Sequence, residues 1–317
     1  MTIPLLRPPI NKDDIKAVVE QMESGMLVGG KKVKEFEDEF AEYVGCKYAI
    51  ATNGLTNGYV VVLDMLKPTQ INLPSATYVS MANMPKKFNI NITFRDEWIA
   101  GRAYPIYTNK GLLIDSAHEI DRDICKRSPD ATWLFSFHAT KLLSTGKGGM
   151  ICTNSKPQAD FMRSITDNGR LYGNYKFDYV VHNAGWNFYM SDLTAALGLS
   201  QLRRLDETNA KRDKVKEMYD KHLISDKRDN WSRYIYQVWI ENFPMFLQQA
   251  KAVGIQVSKH FNPIHRQPLY FTNRRMPISE EYSEHLISIP FYADMDGGDV
   301  YKVANFINNW RKPNAKN

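Results

Sequence analysis

The chain has 317 residues, of which 43% are hydrophobic and 24% charged, so it can bury one large core and a smaller second one. Its formal net charge is +6, but acidic and basic residues are interspersed, which argues against a basic stripe that binds nucleic acid. No apolar run approaches the roughly 18 residues of a membrane span, and the N-terminus lacks a signal-peptide pattern. We therefore expect a cytoplasmic protein with neither membrane nor nucleic-acid partners.

Helices and strands are predicted to alternate along the first half of the chain. Helices are expected at residues 13–22 and 33–44, where apolar residues recur at helical spacing, and Asn11 is placed to cap the first. Strands are expected at short apolar runs, namely residues 48–52, 70–73, 90–95, 112–115, 133–137 and 150–153. This order predicts an α/β fold with a mostly parallel mixed sheet flanked by helices.

The second half is predicted to form a smaller unit. A long helix, broken or bent on the way, is expected over residues 191–223. Two strands at residues 233–240 and 256–260 and a helix at 298–309 then indicate a small C-terminal α/β domain. The predicted division is a large domain of residues 1–200 and a small domain of residues 201–317.

One lysine stands in an unusual local sequence. Lys141 follows the apolar strand at 133–137 on a connecting segment, where catalytic groups concentrate, and a glycine-rich turn, Thr145 to Gly149, comes next. A lysine near a strand end is more often a solvated surface residue. The turn lacks the spacing of a nucleotide phosphate loop, which excludes that function for it.

A single acid ends the apolar run of residues 111–114. Asp115 therefore lies at the carboxyl end of a predicted central strand, and His118 follows three residues later. Such an acid can also simply cap the next helix. However, an amine and a carboxylate on neighbouring strand ends are what pyridoxal phosphate (PLP) requires: a lysine for covalent attachment and an acid against the pyridinium nitrogen.

Several longer segments carry a resemblance to a known family. They are SGMLVGGKKVKEFEDEFAEYVGCKYAIATNG, LPSATYVSMANM, LLIDSAHEI, FSFHATKLLSTGKGGMICTN, GWNFYMSDLTAALGLSQLRRLDE and VSKHFNPIHRQPLY. In this order the chain resembles the DegT-type PLP-dependent nucleotide-sugar aminotransferases, from near the N-terminus to about residue 309. The resemblance implies the fold-type I architecture of aspartate aminotransferase. It also implies conversion of a keto group on a nucleotide-diphosphate sugar to an amine, with L-glutamate as donor.

The resemblance implies a role for each matching residue. Lys141 would hold PLP covalently and move the proton, and Asp115 would pair with the pyridinium nitrogen. His118 would lie against the ring hydroxyl, Ser136 would bind the cofactor phosphate, and Tyr78 would stack on the pyridine face.

Further roles concern the subunit partner and the substrate. Asn187 matches an asparagine that reaches the phosphate of the neighbouring subunit, which implies a homodimer with a shared active site. The loop containing His265 and Arg266 would line the sugar-nucleotide cleft, where a guanidinium can pair with a phosphate. Tyr189 stands where the family commonly has an arginine, so it is a further candidate for substrate contact.

Other departures fall in the phosphate cup and the glycine turn. In the family, a Ser-Gly-Thr sequence at a helix N-terminus binds the cofactor phosphate. Here the sequence is Asn-Gly-Leu, with Gly54 in the second place and Leu55 where a hydroxyl is usual. Thr56 would supply the hydroxyl if the turn is shifted by one residue. Lys147 stands where an acid is common. The stretch between residues 96 and 111 is also short for a strand-helix crossover, and we expect it to trim an edge of the large domain.

The three cysteines are odd in number and far apart in sequence, so we expect reduced thiols and no metal site. Three alternatives to the aminotransferase stay open. One is a sugar dehydratase of the same fold, which would have histidine in place of Lys141. Another is a PLP-binding protein with a degenerate or regulatory role. The last is a basic binding module without a cofactor.

Overall fold

The computed structural model describes residues 2–173 and 178–312. A seven-stranded sheet forms the centre of the first half. Its strands are β1 (Tyr48–Thr52), β2 (Gln70–Pro74), β3 (Asn91–Arg95), β4 (Tyr104–Thr108), β5 (Gly111–Asp115), β6 (Thr132–Ser136) and β7 (Gly149–Thr153). They are arranged in the order β1-β7-β6-β5-β4-β2-β3. The pairs β5–β6 and β2–β3 are parallel and the other neighbours antiparallel, so only β4 and β7 run against the remaining five.

Both faces of this sheet carry a hydrophobic core, because side chains along a strand point alternately to opposite faces. On β6, Phe135 belongs to one core cluster and Leu134 to the other, and on β7 Met150 and Ile151 divide in the same way. Burial on both faces explains the continuous apolar runs that predicted these strands.

Six helices pack around the large sheet. They are α1 (Lys12–Glu23), α2 (Lys32–Val44), α3 (Leu55–Leu66), α4 (Ser80–Lys87), α5 (Lys156–Thr166) and α6 (Asp192–Arg203). As predicted, Asn11 caps α1: its side chain accepts a hydrogen bond from the Asp14 amide at 2.9 Å, and the Asn11 amide donates to the Asp14 carboxylate at 2.9 Å. An exposed hairpin of β8 (Arg170–Tyr172) and β9 (Tyr179–Val181) precedes α6 and was not predicted.

A second sheet lies in the C-terminal part. It contains β10 (Asn230–Trp231), β11 (Tyr236–Trp239), β12 (Ser258–Lys259) and β13 (Leu286–Ile289), all antiparallel, in the order β10-β11-β13-β12. The accompanying helices are α7 (Leu205–His222), α8 (Phe243–Ala252), α9 (Pro277–His285) and α10 (Gly297–Arg311). The break predicted in the long helix is the junction of α6 and α7 at Arg204. A third core surrounds this sheet, and Ile3 from the N-terminus packs into it.

The segment expected to trim an edge of the large domain lies inside the sheet instead. Residues 96–111 contain β4, a strand that the sequence analysis did not find, and β4 lies inside the sheet between β5 and β2. It forms a hairpin with β5, in which Thr108 pairs with Gly111. An antiparallel pair needs only a two-residue turn, whereas a parallel one needs a crossover of about a dozen residues, so the short segment still completes the sheet.

The three cysteines, which are far apart in sequence and were expected to be reduced, are free thiols that lie together in the structure. The Sγ atoms of Cys46, Cys125 and Cys152 lie within 4.8 Å of one another. Distance along the chain does not limit distance in space, because the β1–β7 pairing and the chain after β5 bring these residues together.

Within the ranges that the structure describes, no helix is long and apolar enough to cross a membrane.

Candidate active site

A cavity of about 580 Å³ opens at the carboxyl ends of β5 and β6 and the N-terminus of α3. This is where ligands bind in open α/β sheets. Segments next to the second sheet close its other side through Tyr234, His260 and Phe261. Eight residues that the sequence singled out line it: Gly54, Leu55, Thr56, Tyr78, Asp115, His118, Ser136 and Lys141.

Asp115 is the last residue of β5 and is only 3% exposed. Its carboxylate accepts hydrogen bonds from the Tyr104 hydroxyl at 2.6 Å and from the Ala117 amide at 2.9 Å. Burial raises the pKa of this carboxyl, although the Tyr104 and Ala117 hydrogen bonds and the charge of Lys141 favour the ionised form. Asp115 is therefore a buried acid held in place by two donors, and a cation in the cavity would stabilise its charge.

Lys141 lies on the turn that follows β6, and its amide donates to the His138 carbonyl at 2.8 Å. Its Nζ donates to the Tyr234 hydroxyl at 3.3 Å and lies 4.3 Å from the centroid of the same ring. A hydroxyl and a ring face orient the amine without pairing its charge, whereas a carboxylate would form an ion pair with it. The amine is thus directed into the cavity beside Asp115.

Aromatic side chains form one wall of the cavity. The His118 ring is stacked between Tyr234, 4.3 Å away, and Phe261, 5.6 Å away. Tyr78 is 57% exposed, and its ring centroid lies 6.1 Å from that of Phe261. An exposed ring at the mouth of a cavity offers a flat surface for another aromatic group.

The histidines near Lys141 are neutral. The Gly101 amide donates to His118 Nδ1 at 3.1 Å, which makes this nitrogen an acceptor and places the proton on Nε2. Burial, together with the charge of Lys141, holds the pKa of His118 well below its usual value and lowers the pKa of His260 to about 4. At neutral pH both rings therefore carry no charge and can act as hydrogen-bond donors or acceptors.

The N-terminus of α3 forms the opposite end of the cavity. The helix begins after Gly54 without a side-chain cap, so its first backbone N–H groups and dipole are available to an anion. Leu55, Thr56 and Ser136 all line the cavity, and the Leu55 side chain also packs into the core, so the hydroxyls at this end are those of Thr56 and Ser136. A Cβ on Gly149 would lie 2.5 Å from the Leu55 nitrogen, so glycine is required for β7 to approach this helix terminus.

Asn187 and Tyr189 lie beside the end of β1 and outside the residues that line the cavity. The Asn187 carbonyl accepts from the Asn53 side chain at 3.5 Å, and Tyr189 forms a bridge with Thr52. Within one chain, these two residues flank the cavity without entering it.

His265 and Arg266 are also outside the cavity. His265 is fully buried, with Nδ1 2.6 Å from the Ser75 hydroxyl and Nε2 3.1 Å from Glu280. The half-exposed Arg266 pairs with the same Glu280 at 2.6 Å. These contacts favour a structural role for His265 over substrate contact, because both of its ring nitrogens are already engaged.

The sequence analysis missed several cavity residues. Tyr104 and Arg102 come from the segment that holds β4, and the alternation in YPIYT would have identified a strand there. Tyr234 has no local signal, because only tertiary packing brings it to Lys141. Arg102 and Lys147 are exposed cations at the cavity, so its opening has positive charge.

The chain matches the model of the DegT/DnrJ/EryC1/StrS aminotransferase family over residues 8–97 and 113–308. It belongs to this family. The family, the enzyme class and the fold class predicted from the sequence are thereby confirmed. The family model does not match residues 98–112. This stretch contains β4 and two residues that line the cavity, Arg102 before the strand and Tyr104 at its start.

One relative is the spore coat polysaccharide biosynthesis protein SpsC of Bacillus subtilis. The two sequences are 29% identical over an alignment that is 370 positions long, gaps included, and that covers 95% of each chain. The solved structures it resembles include Helicobacter pylori PseC, an aminotransferase involved in pseudoaminic acid biosynthesis, with a TM-score of 0.84, 22% identity and coverage of 97% and 98%. The PLP form of the putative sugar aminotransferase Spr1654 from Streptococcus pneumoniae has a TM-score of 0.82 and 18% identity, covering 98% of each chain. DesI, solved with its TDP-sugar product, has a TM-score of 0.79 and 18% identity, covering 97% and 92%. At these identities the structural likenesses show the fold.

Proposed function

We propose that this protein is a PLP-dependent aminotransferase that converts a keto group of a nucleotide-linked sugar to an amine. One observation carries the proposal: Asp115 and Lys141 lie in one cavity, on adjacent strand ends, opposite the uncapped N-terminus of α3. The Spr1654 form with PLP and the DesI complex with a TDP-sugar support the cofactor and the substrate class.

The residues present fit PLP at each of its polar ends. The buried Asp115 carboxylate suits a protonated ring nitrogen, since a buried charge is stable only when it is paired. The first N–H groups of α3, with Ser136 and Thr56, suit a phosphate. Tyr78 offers an exposed ring face on the same cavity, and His118, whose faces are covered by Tyr234 and Phe261, offers a ring edge. When bound, PLP supplies an electron sink that lets a C–H bond next to nitrogen lose its proton.

Two residues perform the chemistry in this proposal. Lys141 would hold the cofactor covalently, and its free Nζ would accept the proton from the donor Cα and later return it. Asp115 would keep the proton on the ring nitrogen. Tyr234 orients the Lys141 amine through the contact at 3.3 Å, and neutral His118 would lie against the hydroxyl edge of the cofactor ring. General acid-base catalysis of this kind contributes about 10²- to 10⁴-fold.

L-Glutamate is the proposed donor, and a 4-keto-6-deoxyhexose on a nucleoside diphosphate is the proposed acceptor. Arg102 and Lys147 support an anionic substrate, because both are exposed cations at the cavity. Arg266 can contribute only by sharing or leaving its ion pair with Glu280. Tyr189 lies beside β1 and outside the cavity of its own chain, so in this proposal it would contact the sugar only in an active site shared with a second subunit.

A homodimer with a shared active site is proposed as the assembly. On α1, Ile15, Val19 and Met22 are 44–59% exposed at helical spacing and form an apolar face, which a second copy would cover. Asn187 would then reach the phosphate of the partner subunit. If so, mixed dimers of Lys141→Ala and Asn187→Ala chains recover activity, whereas sites built from one chain alone would recover none.

Three free thiols agree with the cytoplasm as the proposed location.

The test is the visible spectrum of the protein with PLP before and after L-glutamate, alongside Lys141→Ala. We expect a band that depends on Lys141 and disappears with glutamate as pyridoxamine phosphate forms; the keto sugar should then restore it. A band that no donor changes would indicate a degenerate PLP-binding protein. A spectrum that is the same in Lys141→Ala would refute the proposal. A sugar product that has lost water and gained no amine would indicate a dehydratase, against which the presence of Lys141 already argues.

A further inference from the structure

Three cysteines converge at the amino ends of β1 and β6, the end of the large sheet opposite the cavity. Cys46 lies on the turn between α2 and β1, Cys125 lies in a 3₁₀ turn after β5 (Ile124–Arg127), and Cys152 lies in β7. None of them is among the residues that line the active-site cavity. The PLP chemistry therefore does not account for the cluster.

The backbone fixes this arrangement. Ala49 of β1 pairs with Cys152 of β7, which places the chain before β1 next to that strand. The Asp123 amide donates to the Tyr43 carbonyl at 3.0 Å and joins the 3₁₀ turn to the end of α2. Gly45 is left-handed, with φ 76°, and a Cβ there would lie 2.8 Å from the Asp123 carboxylate. The close approach of the two turns thus depends on this glycine.

The sulfur spacing matches a metal site. All three Sγ atoms lie within 4.8 Å of one another. Zn–S bonds of about 2.3 Å in a tetrahedron put sulfur atoms about 3.8 Å apart. Each pair of thiols therefore needs to close by at most about 1 Å, which side-chain rotation in reduced cysteines can supply.

The three cysteines differ in their exposure to solvent. Cys125 and Cys152 are 1% and 0% exposed, while Cys46 is partly exposed and gives an ion access from solvent. The Cys46 thiol donates to the Tyr48 carbonyl at 3.4 Å, a hydrogen bond that it gives up when it binds a metal as a thiolate. In the described part of the chain, no histidine or carboxylate joins the group, so the fourth ligand is left to water.

We propose that Cys46, Cys125 and Cys152 bind one zinc ion through three thiolates, with a water as the fourth ligand. Soft thiolate ligands select such thiophilic cations. Binding releases the protons that the thiols still carry, up to three for each Zn²⁺, and changes no oxidation state. The bound ion ties the α2–β1 turn and the 3₁₀ turn to β7, so it stabilises this corner of the sheet.

The experiment uses the full-length reduced protein, stripped of metal with a chelator and titrated with Zn²⁺ against a chromophoric competitor. We expect one equivalent bound per chain, with proton release and protection of the thiols from a disulfide reagent. Cys46→Ala should weaken binding at least ~100-fold, which exceeds the 10- to 100-fold cost of changing a second-shell group. Lys47→Ala, at the exposed neighbouring position, is the matched control and should bind like the wild type.

Equal Zn²⁺ affinity in the wild type and Cys46→Ala would overturn the proposal. So would reduced wild-type protein that binds no stoichiometric zinc. Circular dichroism of each variant separates loss of a ligand from loss of fold. Because the readout is metal binding, failure of the proposed aminotransferase function would leave this result unaffected.

Discussion

The hydroxyl of Tyr104 is predicted to set the ionisation of Asp115. It donates to the Asp115 carboxylate at 2.6 Å and lies 2.5 Å from the Thr77 hydroxyl. Burial, reinforced by the Asp115 charge, raises the pKa of Tyr104 well above its usual value, so the phenol remains a donor at neutral pH. The change Tyr104→Phe removes this donor and keeps the ring that packs in the core.

The magnitude follows from the kind of bond lost. Hydrogen bonds to charged groups contribute about 1.5–3 kcal/mol, and each 1.4 kcal/mol is a factor of ten. If Asp115 must be ionised to hold the ring nitrogen, Tyr104→Phe should weaken PLP binding about 10- to 100-fold. The pKa of Asp115 is already raised by burial, and loss of the donor raises it further. The carboxylate is protonated as the pH falls, so PLP release and loss of kcat/KM on the acid side should begin at higher pH in the variant.

PLP affinity and kcat/KM should be measured as functions of pH for Tyr104→Phe and for Tyr107→Phe. Tyr107 lies on the same strand, is 51% exposed and lines no part of the cavity, so its variant controls for removal of a phenol from β4. The role of Tyr104 would be refuted if the two variants had the same PLP affinity and lost kcat/KM at the same pH on the acid side. A melting temperature for each variant distinguishes a change at Asp115 from general destabilisation.

Three further predictions concern cavity residues. Lys141→Ala should abolish multiple turnover, since it removes both the covalent attachment and a proton transfer worth about 10²- to 10⁴-fold; steady product formation over many cycles would contradict this. Ser136→Ala should weaken PLP retention by about tenfold or more, as expected for a hydrogen bond to a charged phosphate, with little change in sugar KM; equilibrium dialysis of PLP tests it. Arg102→Ala should raise KM for the nucleotide sugar and make that KM depend less on ionic strength, while the half-reaction with glutamate stays intact. An equal loss in both half-reactions would indicate that the substitution damages the fold instead.

Much of the fold and the centre of the site could be predicted because their signals are local. Asn11 caps its helix through residues three positions apart, and the buried strands are short apolar runs. Asp115 and Lys141 each follow such a run, so a strand prediction also located the functional groups. The shared direction of these strands then brings the two residues together.

The remaining features depend on contacts that sequence spacing does not encode. Strand β4 was missed because a short connection was interpreted as a lost crossover, although the chain could reverse in a hairpin and stay inside the sheet. The three cysteines meet through strand pairing and a turn contact between distant segments. His265 resembled a cleft residue, yet burial against Ser75 and Glu280 places it in a structural network.

The most direct test of the central claim is the site of covalent PLP attachment. The protein should be loaded with PLP, reduced with borohydride, digested and mapped by mass spectrometry. We predict a stoichiometric adduct on Lys141 and none on Lys147, which also lines the cavity. An adduct on a different lysine, or no stoichiometric adduct, would show that Lys141 is not the residue that holds PLP.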